Sequence, residues 1–265
     1  MNRKLKNLII ILVIIVMVEL GVIIISFSRN STQNTQNELG MSQSGMGTPP
    51  EKPNGDAPMQ PGGGTAVASN LIINTSGTSS AAIRSDRGGG TVVVDKGTYT
   101  TTGNGSPTIY STADITVSNA TLIAKASEGV VIEGANTVNL ENCDLTDSNT
   151  KLNGQSTTYK NVFLYQSMSG DASTGTATFT AKNSNITTTN GDSFYITNTI
   201  ATINLSNNTI INNDTTGNFL RAQKDSWGTT GSNGGNVTLN MTSQTAKGNI
   251  VIDSISTLAM KLETE

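Results

Sequence analysis

Residues 138–145 read VNLENCDL, and their apolar-x-apolar-x-Asn-x-x-apolar pattern returns as ITVSNATL from Ile115, FTAKNSNI from Phe179 and INLSNNTI from Ile203. Alternating apolar residues suit a strand with one face in a core, and the Asn that follows suits a bend. The middle apolar position falls at Val117, Leu140, Ala181 and Leu205, and TVVVDKGTY adds Val94 as an earlier variant, giving gaps of 23, 23, 41 and 24 residues. Periods of about twenty to twenty-five residues in a turn-rich sequence predict a solenoid, because one such unit cannot bury its own apolar face and must stack on neighbours. Between successive copies lies a second apolar patch: TIY from Thr108, VVIEG from Val130, VFLY from Val162, SFYIT from Ser193 and FLRA from Phe219. Each coil is therefore expected to carry at least two strands, and the fold to be all-β: a parallel β-helix, right-handed as the commoner hand.

The recurrent Asn119, Asn142, Asn183 and Asn207 fall at one turn of every coil. Amides stacked about 4.8 Å apart can hydrogen-bond along such a column, so these four are expected to form a structural Asn ladder. The long gap reads as one coil with insertions, TDSNTKLNGQSTTYKN after Leu145 and QSMSGDASTGTAT after VFLY; a third excursion, QKDSWGTTGSNGGN, separates FLRA from VTLNM. At the other end, STLAMKLETE begins another strand at Leu258, Met260 and Leu262 with no polar capping coil after it, which reads as a truncated helix end.

Residues 8–27, LIIILVIIVMVELGVIIISF, form an apolar run interrupted only by Glu19 and preceded by Arg3, Lys4 and Lys6. About twenty apolar residues cross a bilayer as a helix, and no small-x-small cleavage signal follows. The run is expected to be an uncleaved transmembrane signal-anchor, with basic residues 1–7 in the cytoplasm and the C-terminal domain outside the cell. Residues 28–66, rich in Asn, Gln, Ser, Gly and Pro, read as a disordered linker, and residues 67–265 as the β-helix domain. A net charge of −3 and scattered cations leave no basic face for phosphates, so nucleic acid is not expected as a partner. Cys143 has no second Cys to pair with and no His to activate it, and reads as a small buried residue.

Four phrases, SAAIRSDRGGGTVVVDKGTYTTTGNGSPTIYSTADITVSNATL, VVIEGANTVNLENCDL, VFLYQSMSGDASTGTATFT and SWGTTGSNGGNVTLNMT, resemble adhesin-like, right-handed β-helix repeat proteins exported by bacteria. The resemblance spans roughly residues 67–262. It implies a β-helix and a surface location, and brings no catalytic residue; members extend further at both ends of the helix.

Several β-helix proteins cleave polysaccharides, which needs clustered carboxylates. Register of the coils puts Asp144 in column with Thr121, Asn185 and Thr209, and Asp147 with Ala124, Thr188 and Asn212, so neither gains an acidic neighbour. Asp192, Asp214 and Asp225 are expected in separate turns as Asx residues. Thr triplets in TYTTTG and NITTTNG occur on two non-adjacent coils, too few for a flat ice- or mineral-binding array. Binding is the better expectation: the insertions after Tyr165 and Arg221 would wall a groove over the coil carrying Phe194 to Thr197, with Trp227, Lys224, Asp225, Arg221 and Tyr165 as the candidate ligand-binding residues. Trp227, the only Trp, would stack on a sugar face; its alternative is a loop anchor covering apolar strands. The expected function is a membrane-tethered, adhesin-like or glycan-binding surface module without catalysis, cofactor or metal, its partners being the membrane and extracellular glycans or cell-surface proteins. A polysaccharide lyase or hydrolase is the runner-up.

Overall fold

The computed structural model describes residues 64–87, 89–150 and 158–264. The expected anchor at 8–27, its flank at 1–7, the linker up to 63 and part of the insertion after Leu145 lie outside the described residues. Among the described residues no helix is long and apolar enough to cross a membrane.

The described chain is all-β and proceeds coil by coil. The first coil holds β1 (Thr65–Thr75) and β2 (Ile83–Arg84), the second β3 (Thr91–Thr101) and β4 (Ile109–Ser111), the third β5 (Asp114–Ala124) and β6 (Val130–Glu133). In the next three coils the long strand is split at its Asn: β7 (Thr137–Glu141), β8 (Asp144–Asp147) and β9 (Lys160–Tyr165); β10 (Thr176–Lys182), β11 (Asn185–Thr188) and β12 (Asp192–Thr197); β13 (Thr199–Ser206), β14 (Thr209–Asn212) and β15 (Leu220–Ala222). A seventh coil holds β16 (Gly235–Thr242) and β17 (Ile250–Ile252), and β18 (Thr257–Glu263) follows. β1 begins two residues before the boundary expected at Val67, so Thr65 and Ala66 belong to the domain and not to the linker.

Every pairing is parallel, and the strands form two sheets of eleven and seven members. Such stacking is compatible with a β-solenoid. The register follows the pattern of the sequence: Ala68, Val94, Val117, Leu140, Ala181, Leu205, Met241 and Leu262 stand one above another. Asp144 stacks between Thr121 and Asn185, and Asp147 between Ala124 and Thr188.

One core fills the space between the sheets. Phe179, Phe194 and Phe219 are its largest apolar members; the Phe179 and Phe194 ring centroids lie 5.9 Å apart across one coil, and those of Phe194 and Phe219 5.3 Å apart between neighbouring coils. Each such ring, fully buried, stabilises the fold by about 1.5–3 kcal/mol relative to an exposed one. Cys143 is buried among them as a free thiol.

The bend within the long sheet explains the repeated Asn. Asn70, Lys96, Asn119, Asn142, Asn183, Asn207 and Ser243 occupy one column, and all have positive φ between 47° and 60°. Asn tolerates that left-handed conformation better than most residues. The side chains add bonds along the column: Asn119 donates to Asp95 Oδ1 at 2.7 Å, Asn142 to Asn119 Oδ1 at 3.2 Å and Asn207 to Asn183 Oδ1 at 2.8 Å.

Candidate binding groove on the short sheet

The outward-facing positions of the seven-stranded sheet form a column of Arg84, Tyr110, Val131, Phe163, Tyr195 and Arg221. Val131, Phe163 and Tyr195 are buried although they face away from the core, because the loops after β9 and β15 fold across them. Phe163 and Tyr165 stack with centroids 4.4 Å apart, and the Trp227 ring meets Tyr165 edge-on at 4.9 Å. The base of the Trp227 loop is pinned by Asn233, whose amide donates to the carbonyls of Asp225 at 2.6 Å and Trp227 at 2.8 Å.

Beside this aromatic wall opens a groove of about 200 Å³, lined chiefly by Arg84, Tyr110, Val131, Phe163, Tyr165 and Trp227, with Glu128 at one side. Glu133 holds its wall in place. That carboxylate is 1% exposed and accepts hydrogen bonds from the hydroxyls of Tyr110, Tyr165 (3.1 Å) and Ser167, so it fixes both phenols and the start of the loop after β9. Burial first, and then the hydrogen bond to Glu133, raises the Tyr110 pKa; burial and the neighbouring Tyr110 do the same for Tyr165. Both phenols are therefore neutral donors. Arg84 forks onto Asp86 at 2.7 and 2.8 Å, donates to the Ser79 carbonyl at 2.9 Å and lies 4.9 Å above the Tyr110 ring. The Trp227 indole N–H is buried without a hydrogen-bond partner among the described residues.

A second charged cluster lies deeper on the same face. Lys160 is fully buried, pairs in register with Asp192, and places its ammonium 3.8 Å from Glu128, with the Phe163 and Tyr195 rings at 4.4 and 5.0 Å. Burial pushes the Lys160 pKa down to about 8 against the pull of Glu128, Asp225 and Asp192. Asp192 accepts from Arg221 Nε at 2.5 Å and from the Asn218 amide at 2.7 Å.

Of the candidate residues, the structure brings Trp227 and Tyr165 together in the groove. Arg221 and Asp225 are engaged elsewhere, by Asp192 and by the Tyr195 hydroxyl at 2.7 Å, and Lys224 is exposed, with its backbone N–H bonded to Asp253. The groove does not lie over Phe194 to Thr197 as expected. The two loops meet there and bury that coil, Asn198 donating to the Gln166 carbonyl at 2.8 Å, and the opening falls over the preceding coils at Tyr110 and Val131. Asp192 sits in β12 instead of a turn, and it acts on Lys160 together with Asp225. Sequence reasoning did not pick out Tyr110, Glu128, Glu133 or Lys160. The second patches read as continuous apolar runs, and only their alignment from coil to coil places Tyr110, Val131, Phe163 and Tyr195 in one column. Comparison of the chain with protein-family models, with curated proteins and with solved structures found no match.

Proposed function

We propose that this chain is a right-handed parallel β-helix, carried outside the cell by a single N-terminal anchor over residues 8–27, and that it binds glycans as an adhesin-like surface module without chemistry of its own. The observation that carries this reading is the groove walled by Trp227 and Tyr165 and floored by Tyr110 and Val131. Aromatic faces pack against the apolar face of a sugar, and the phenol oxygens of Tyr110 and Tyr165, whose single O–H groups donate to Glu133, are left as acceptors for its hydroxyls. Arg84 at the groove is already engaged by Asp86, and the buried Glu133 behind its wall by four hydroxyls, which suits recognition more than proton transfer.

The test is binding of the purified full chain to a glycan array, with folding checked by circular dichroism. Binding is expected, and Trp227→Ala is expected to weaken it roughly tenfold, the order of one lost aromatic contact. Binding that ignores Trp227→Ala removes the groove from the reading. A folded chain that binds no glycan removes the reading itself.

A further inference from the structure

Among the described residues, Lys160 and Glu128 form the one ion pair in which both side chains are buried, at 0% and 2% exposure. Their register explains the meeting: β6 pairs with β9 through Val130 and Val162, so the positions two residues earlier stack one coil apart. The pair is poorly made for an ion pair. Among the described residues the Lys160 ammonium has one hydrogen bond, to the Thr158 carbonyl at 2.8 Å, and its 3.8 Å separation from Glu128 Oε1 is too long for another. Its other side faces the rings of Phe163 and Tyr195. Glu128 has one donor among the described residues, the Ser127 hydroxyl at 2.7 Å. Two buried charges with so few hydrogen bonds do not offset their desolvation.

Moving one proton across the pair leaves an amine and a carboxylic acid in van der Waals contact, the two reactants of an amide. We propose that Lys160 and Glu128 condense into an intramolecular isopeptide bond that staples the third coil to the fourth. Lys160 Nζ attacks Glu128 Cδ, a C–N bond forms, and one C–O bond breaks. Of the three ammonium protons one stays on nitrogen and two leave with the oxygen as water, so the charges cancel and no oxidant or further reactant is needed. Burial favours each part of the step. A Lys pKa of about 8 leaves roughly a tenth of the amine neutral at pH 7. Holding the two groups together in a rigid fold raises their effective concentration, which reaches about 10⁵ M or more once the reacting atoms close to about 3–3.5 Å. The product replaces two buried charges with one neutral amide.

Tryptic peptide mapping of the full chain, denatured after circular dichroism has shown it folded, decides the matter. The expected result is no cleavage after Lys160 and a branched product joining residues 126–151 to 152–182, lighter by one water than the two linear peptides together, with fragment ions placing the bond between Glu128 and Lys160. Lys160→Arg is expected to return residues 126–151 as a linear peptide. A folded wild-type chain that trypsin cuts after Lys160 in full yield, with residues 126–151 linear, overturns the proposal.

Discussion

At the scale of single residues, the column of bends sets the strongest local constraint. Asn207 combines a φ of 54° with a 2.8 Å bond to the Asn183 side chain. Asn207→Gly keeps the left-handed backbone and loses the bond, and is expected to cost about 1 kcal/mol. Asn207→Val loses the bond and forces a β-branched residue into that conformation, adding about 1–3 kcal/mol. Thermal unfolding of the two variants should therefore separate them, with Val clearly the lower; equal midpoints would mean that only the side-chain bond matters. Asp147 gives a pH-dependent case. Burial raises its carboxyl from 3.8 to about 7, so between those values the folded chain holds a proton that the unfolded chain has lost. The stability from this group is complete below the unfolded value and disappears as pH rises to about 7, by up to about 4 kcal/mol. Asp147→Asn retains an oxygen for the Thr189 N–H, which now donates to Asp147 Oδ1 at 3.1 Å. It should flatten that slope and raise the unfolding midpoint at neutral pH. Parallel pH curves for variant and wild type would show that Asp147 does not titrate in this range.

At the scale of elements, the two sheets differed in how well they could be read. In the long sheet one face is buried and the other partly exposed, as in β10, and that alternation put Val94, Val117, Leu140, Ala181 and Leu205 in register directly from their spacing. In β9 and β12 all six residues are buried, because the core covers one face and loops cover the other. A strand buried on both faces shows a continuous run instead of alternation. KNVFLY and DSFYIT therefore do not reveal that Phe163 and Tyr195 point outward, and the groove opens two to three coils before the one expected from the sequence. The first coil, inside the domain expected from residue 67, shows no clear copy of the repeat for another reason: its Asn70 follows Ala68, a weak apolar marker, next to a Gly- and Pro-rich stretch. The loop after β9 depends on Glu133, which holds Ser167 and Tyr165 at once. Glu133→Ala is expected to loosen it, so that limited proteolysis cuts within residues 166–175 at least severalfold faster while the core strands stay resistant. Unchanged cutting there would assign the loop's order to Asn198 and its bond to Gln166 instead.

At the scale of the whole molecule, each coil pairs only with the coil before and the coil after it, so stability adds up from coils and the interfaces between them. The interfaces are unequal. β1 pairs with β3 alone and β18 with β16 alone, and both show mostly exposed residues, including Val67 at 74% and Leu262 at 64%. In β5, β10 and β13 every second residue is buried, and Phe179, Phe194 and Phe219 tie the central coils together through the core. Opening should therefore start at the outermost strands and move inward. Hydrogen exchange is expected to be fastest in β1 and β18 and slowest in β5, β10 and β13. Phe194→Ala, which deletes the middle ring at a cost of about 3–5 kcal/mol, should speed exchange in β10, β12, β13 and β15 well before it reaches β3. If the substitution instead speeds exchange equally in every coil, the seven coils unfold as one unit, and neighbour-by-neighbour addition fails for this chain.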